Sequence, residues 1–167
     1  MPPLVRLLVT VGGLGLMRPA SGTWGSLPPA LIAALFVLTG VSAWAWVAVM
    51  GGLVVVFSLA CVAGGDWAEA EFGRKDPGEV VADETAGMAL TLLTFAGLGQ
   101  GESMSIGRGL MVVAVAFVAF RVMDVIKPPP ARGLQRVPGG WGILLDDIAA
   151  GAMAAVLTWA LLLTGVV

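Results

Sequence analysis

The run PASGTWGSLPPALIAALFVLTGVSAWAWVAVMGGLVVVFSLACVAGG, residues 19–65, holds no charged side chain across 47 consecutive positions. A helix rises about 1.5 Å per residue, so roughly 20 apolar residues cross a bilayer core. The run is too long for one crossing. It breaks at Thr39-Gly40-Val41-Ser42, which predicts a helical hairpin with arms near Leu27–Leu38 and Ala43–Ala63. The first arm is short and reads as re-entrant or as thinning the bilayer at one end. Further uncharged runs at 85–101, 109–120 and 148–167 predict crossings near Thr85–Leu98, Ile106–Val125 and Ile148–Val166, the first again short. Leu4–Met17 is apolar but carries Arg6 and three glycines. It reads as an interfacial or packed helix rather than a cleaved signal peptide. The expected fold is all-α: a compact polytopic membrane bundle of about five apolar helices plus this N-terminal helix, as a single domain over residues 1–167.

Composition agrees. Of the 167 residues, 58% are apolar and 12% charged, with a mean hydropathy of +0.96. A soluble domain carries about 25% charge. Nine basic against eleven acidic residues leave no basic face for nucleic acid. The chain has no histidine and no tyrosine, which removes imidazole general bases, phosphohistidine and imidazole zinc sites. The lone Cys61, inside VVVFSLACVA, makes no internal disulfide and reads as a packing residue. Chemistry is left to Asp, Glu, Lys, Arg, Ser, Thr and backbone amides.

The charges are grouped. Nine lie between Asp66 and Glu84, seven between Arg121 and Asp147, and the remaining four are Arg6, Arg18, Glu102 and Arg108. The expected topology puts Arg6, Arg18, Arg74, Lys75, Lys127, Arg132 and Arg136 on one side, which the positive-inside rule assigns to the cytoplasm. Trp24, Trp67 and Trp141 are expected at that interface and Trp44 and Trp46 at the opposite one. The opposite side takes Thr39–Ser42, Gly97–Ser105 and the C-terminus.

Four motifs carry the remaining polar groups. Asp83-Glu84 in VVADETAGM and Asp146-Asp147 in GGWGILLDDIAAG read as acidic pairs that open two apolar helices. Gly87 follows Asp83 by four places and Gly151 follows Asp147 by four, which suits a close helix–helix contact with acids at its mouth. Helix capping explains one acid per helix but explains adjacent doublets poorly. Arg121, Asp124 and Lys127 in FRVMDVIKPPP share one helical arc, before prolines that stop the helix. Their bland reading is a local ion pair with a snorkelling lysine. Gly22-Thr23-Trp24-Gly25-Ser26 reads as a glycine–hydroxyl loop able to cradle an oxyanion, or as an ordinary N-cap before proline. Pro138-Gly139-Gly140-Trp141-Gly142 permits close backbone approach or a tight turn. The acids Asp83, Glu84, Asp124, Asp146 and Asp147 thus gather at one membrane face with Arg121 and Lys127. Clustered carboxylates without histidine suit a hard cation such as Mg²⁺, and basic groups beside them suit a phosphate. Asp66, Glu69, Glu71 and Glu79 read as a solvated face, with Asp76 set apart from them.

GTWGSLP, VVADETAGM, FRVMDVIKPPP and PGGWGILLDDIAAG resemble, in order and over residues 22–151, the signature segments of the bacterial phosphatidylglycerophosphatase A family. The departures are a third proline after Lys127 and Ala86 where a bulkier residue is common. The resemblance implies a Mg²⁺-dependent phosphoric monoester hydrolase of phospholipid biosynthesis. Its substrate would be phosphatidylglycerol phosphate, cleaved to phosphatidylglycerol and phosphate at the cytoplasmic face of the inner membrane. It implies catalytic roles for Asp83, Glu84, Asp124 and Asp147, and phosphate-binding roles for Thr23, Ser26, Arg121 and Lys127. The metal would fall to Asp83, Glu84, Asp146 and Asp147. Attack by water and an aspartyl-phosphate route both remain open, as does the oligomeric state. The rival readings are another lipid phosphatase or phosphotransferase, or a small cation-coupled transporter whose acids are ion sites.

Overall fold

The structure is a computed structural model that describes residues 1–96 and 104–165. Among these the chain is helical with no strand. α1 is Pro3–Val9, followed by a 3₁₀ turn at Leu14–Leu16; α2 is Ser21–Thr39, α3 Ala43–Phe72, α4 Ala82–Leu93, α5 Ile106–Ile126, α6 Ala131–Leu134 and α7 Gly140–Leu163. Four of them, α2, α3, α5 and α7, are long and apolar enough to cross a membrane. They are apolar on all sides, with large side chains such as Leu35, Val55, Val118 and Val156 facing outward, as lipid-facing helices are.

The fifth expected crossing is not one. α4 has 12 residues and rises only about 18 Å. It is the buried centre of the bundle, packed against α2, α3, α5 and α7. Its neighbours take up its loose polar groups. The Trp46 indole donates to the Leu92 carbonyl at 2.9 Å, a last-turn acceptor that also takes the Phe95 amide at 3.0 Å. Thr91 Oγ lies 3.0 Å from the Gly151 carbonyl of α7. At the other end the Val81 amide donates to the Val9 carbonyl at 2.9 Å, which ties down α1. Trp46 is therefore a core residue and not an interfacial anchor, whereas Trp44 is exposed.

Two helix boundaries differ from expectation. α2 is not a short arm; it begins at Ser21 and carries Pro28 and Pro29 within it. Pro29 cannot donate to the Gly25 carbonyl one turn earlier. Thr85 Oγ of α4 donates to that carbonyl instead, at 2.7 Å. α7 begins at Gly140, eight residues before Ile148, so Asp146 and Asp147 lie inside it rather than opening it. Hydropathy placed the start too late because the doublet interrupts the apolar run.

The acid–glycine spacing does mark a close contact. A Cβ on Gly151 would collide with the Gly87 carbonyl, and a Cβ on Gly87 would lie 2.6 Å from the Asp147 carbonyl. Gly65 and Gly140 bring α3 and α7 together in the same way. Cys61 is fully buried there, with Sγ 3.7 Å from the Gly140 carbonyl. Most of the expected outer loop Gly97–Ser105, with Glu102, lies outside the described residues.

Gly151→Ala is expected to cost about 1–3 kcal/mol of stability through overpacking, read as a lowered melting temperature in detergent. Gly51→Ala, on α3 with nothing within 4 Å of the new carbon, should be neutral or stabilising by up to about 1 kcal/mol.

Candidate active site

α2, α4 and α7 start, and α3 and α5 end, at the same end of the bundle. That arrangement gathers side chains from positions far apart in the chain. Asp83 and Glu84 stand in the first turn of α4, where the helix dipole favours negative charge. Asp147 reaches them across the Gly87–Gly151 contact. One carboxylate oxygen from each of Asp83, Glu84 and Asp147 lies within 4.8 Å of the others. Asp83, Asp124, Asp146 and Asp147 are all buried. Asp83 Oδ1, Glu84 Oε2, Asp146 Oδ1 and Asp147 Oδ2 are buried with no hydrogen-bond partner. Orphaned polar oxygens of this kind are rare in folded proteins and call for a ligand.

The cations are arranged around them. Lys127 caps α5 in the left-handed conformation, φ 46°, which costs a residue with a Cβ about 1–2 kcal/mol. Its ammonium group pairs with Asp146 and lies 3.5 Å from Asp147 and 3.7 Å from Asp124. Burial alone would lower its pKa, but Asp147, Asp146 and Asp124 outweigh burial and hold it above its ordinary 10.5. Lys127 thus faces three carboxylates, Asp124, Asp146 and Asp147. Asp146 turns to Lys127 and stands apart from the converging trio, with one oxygen still unpartnered.

Arg121 is pinned by Asp124 at 2.6 Å. Its guanidinium lies against Gly22, where a Cβ would come within 3.0 Å of both terminal nitrogens and would strike Glu84 Oε1. The glycine–hydroxyl segment is therefore the first turns of α2 and not a loop. Gly22 is the residue the sequence reading undervalued; its signal was the small residue opening GTWGS. Ser26 is buried and its hydroxyl donates to the Gly22 carbonyl at 2.7 Å. That single proton is spent, so Ser26 accepts from Arg121 at 3.4 Å and positions it. Thr23 flanks Arg121 on the lipid side. No side chain caps α2, and Ser21 donates to the Gly78 carbonyl at 2.5 Å. The Thr23 and Trp24 amides of the first turn of α2 donate to the Ala20 carbonyl, at 2.9 and 3.4 Å.

The linking segment is more than a solvated face. Glu79 pairs with Arg18 at 3.1 Å and Arg74 at 2.6 Å, and Glu71 with the N-terminal amine at 3.2 Å. These pairs fasten the segment before α2 and the start of α1 to the end of α3 and the loop that follows it.

Burial, reinforced by the nearby Asp147 charge, holds the Glu84 carboxyl up to about 8 against an ordinary 4.5. Burial and the Glu84 charge likewise push Asp83 well above the usual carboxylate range. Between pH 4.5 and about 8 the folded state then holds a proton on Glu84 that the unfolded chain has released. Stability must fall as pH rises through that window. Without added divalent cation, Glu84→Gln is expected to melt above the parent protein at pH 8. The two should differ far less at pH 4.5, the lower edge of the window, in parallel thermal melts.

The family profile for phosphatidylglycerophosphatase A matches residues 7–162. A Bacteroides thetaiotaomicron protein with the provisional name phosphatidylinositol-3-phosphatase is 32% identical over 93% of this chain and 92% of its own. Phosphatidylglycerophosphatase A of Haemophilus influenzae is 28% identical over 94% of this chain and 88% of its own. Phosphatidylglycerophosphatase A of Escherichia coli is 33% identical over 89% of this chain and 78% of its own. No solved structure matches the chain.

Proposed function

From the membership of this chain in the phosphatidylglycerophosphatase A family, we propose that it is a membrane-embedded phosphatase. It removes the terminal phosphate of phosphatidylglycerol phosphate and leaves phosphatidylglycerol, a step of phospholipid biosynthesis. The observation that carries the reading is the set of four buried, unpartnered carboxylate oxygens beside a pinned guanidinium.

The donor set fits a hard divalent cation such as Mg²⁺, which prefers carboxylate oxygens. Five acids face two bases, Arg121 and Lys127. If all are ionised, three negative charges stand uncompensated in a poorly solvated place, which is expensive. Asp83, Glu84 and Asp147 would hold the cation. When bound, it would supply a Lewis acid for the phosphate oxygens.

The protein's own residues account for the rest. Arg121, fixed along one edge by Asp124, offers its remaining N–H donors to a phosphate; guanidinium and phosphate geometries match. The Ser26 hydroxyl holds the guanidinium from the α2 side. The guanidinium is in place before substrate arrives, so charge developing on the phosphate oxygens meets fixed donors. Lys127 and Asp124 position groups and hold charge balance. The basic residues Arg18, Arg74, Lys75, Arg132 and Arg136 flank this end of the bundle, which favours a cytoplasmic orientation and access from the inner leaflet.

The test is phosphate release by purified protein in mixed micelles, with phosphatidylglycerol phosphate, phosphatidylinositol 3-phosphate and phosphatidic acid as parallel substrates. Release from phosphatidylglycerol phosphate, fastest of the three and stopped by chelator, is the expected result. Faster release from phosphatidylinositol 3-phosphate would move the substrate to the chemistry named for the Bacteroides relative. No release from any of them would overturn the phosphatase reading. Asp147→Asn is expected to lower turnover by about a hundredfold or more, given what even indirect metal-site changes cost. It should also remove the rise in melting temperature that Mg²⁺ gives the parent protein.

A further inference from the structure

The polar site has an apolar doorway. Between α2 and α5 lies a groove of about 400 Å³ walled by Phe117, Val118, Val122 and Val125, with Thr23 and Arg121 in its lining. On the other flank of α5, between α5 and α7, lies a second groove of about 340 Å³, walled by Val115, Val118, Val122 and Leu157. Val118 and Val122 belong to both, so they form a ridge with a channel on either side. The ridge is open to its surroundings: Val118 is 60% and Val122 41% exposed.

Arg121 belongs to both worlds. One of its nitrogens is held by Asp124 at 2.6 Å and its guanidinium packs on Gly22 and Glu84, inside the carboxylate site. The same side chain lines the first groove. Asp124 compensates one edge of this charge, and the side chain still borders the groove, where an anionic headgroup would meet it. The groove between α1 and α3, walled by Val5, Leu8, Val56 and Leu59, is as apolar but has no charged side chain in its lining. It offers lipid tails a surface and offers a headgroup nothing.

We propose that the two grooves astride Val118 and Val122 seat the two acyl chains of the lipid phosphate substrate, with its phosphomonoester at Arg121. The ridge separates the chains as the glycerol backbone does. Along the helix axis Val118 lies about 4.5 Å from Arg121 toward the middle of the bundle and Val122 about 1.5 Å from it toward the site end, so the ridge begins at the level of the headgroup and runs on between the chains. Entry is lateral from the inner leaflet. The inference rests on the lipid-phosphatase reading but is tested apart from it.

The first measurement reads binding alone. Phosphatidic acid bearing a photoreactive acyl chain, in phosphatidylcholine micelles, should label residues 114–126 of α5. Phosphatidylglycerol phosphate should compete the label away, and further phosphatidylcholine, which has no phosphomonoester, should not. Label spread evenly over the exposed faces of α3 and α5, or competed equally by both lipids, would mean an ordinary lipid annulus and would overturn the proposal. The second measurement reads turnover. Val118→Trp and Val122→Trp should raise KM for phosphatidylglycerol phosphate roughly tenfold with kcat nearly kept, as loss of remote binding common to ground and transition states predicts. Val55→Trp, on the exposed face of α3, should leave both constants unchanged. Equal effects from all three, or none from the ridge pair, would refute the assignment. Should the parent protein release no phosphate, the phosphatase reading fails while the labelling pattern still decides the grooves.

Discussion

Placing carboxylates where water cannot fully reach them is the constraint around which this molecule is built. Ionised acids in a low-dielectric interior demand compensation or neutralisation. Asp83, Asp124, Asp146 and Asp147 are all buried, and Glu84 sits among them with one oxygen fully enclosed. The surrounding architecture supplies what compensation a protein can: the start of α4, the Arg121–Asp124 pair, and a lysine bent into an unfavourable backbone conformation to reach three acids. The remainder is left for ligands. A bundle built only for stability would replace such a cluster with packed apolar groups.

α4 is the element that makes this possible. It is too short to span a bilayer and survives by having each neighbour supply something it lacks. Trp46 takes a carbonyl at its C-terminal end, and Val9 anchors the residue before its start. In return, Thr85 satisfies the carbonyl that Pro29 leaves open in α2. The exchange fixes α2 and α4 relative to one another within a few ångströms of Gly22 and Glu84, where the site needs it.

Much of this was legible in the sequence. Long uncharged runs gave the hairpin and the all-helical bundle, because hydropathy acts over whole segments. The acid–glycine spacing at Asp83/Gly87 and Asp147/Gly151 gave the α4–α7 contact, because only a missing side chain lets two backbones touch. The convergence of Asp83, Glu84 and Asp147 followed from those two facts together. Other features were hidden because they depend on tertiary partners. Asp146-Asp147 looked like a helix opening, since nothing local reveals that Lys127 makes their burial tolerable. Trp46 looked like an interfacial residue until α4 offered it a carbonyl. The prolines of α2 looked like a boundary because the hydroxyl that repairs the defect lies 56 residues further on, at Thr85.

The contact between Gly87 and Gly151 sets a mechanical tolerance for the whole enzyme. Two main chains meet there with no side chain between them to yield, and the acids ride one turn away on each helix. Sliding α7 by a single residue along α4 would carry Asp147 about 1.5 Å past Asp83, enough to undo the convergence of their oxygens. Side-chain cushions would let such slippage pass; bare backbones act as a stop. However a membrane stretches or thins around the outer helices, the spacing between the two carboxylates is gauged against a rigid edge within the protein itself.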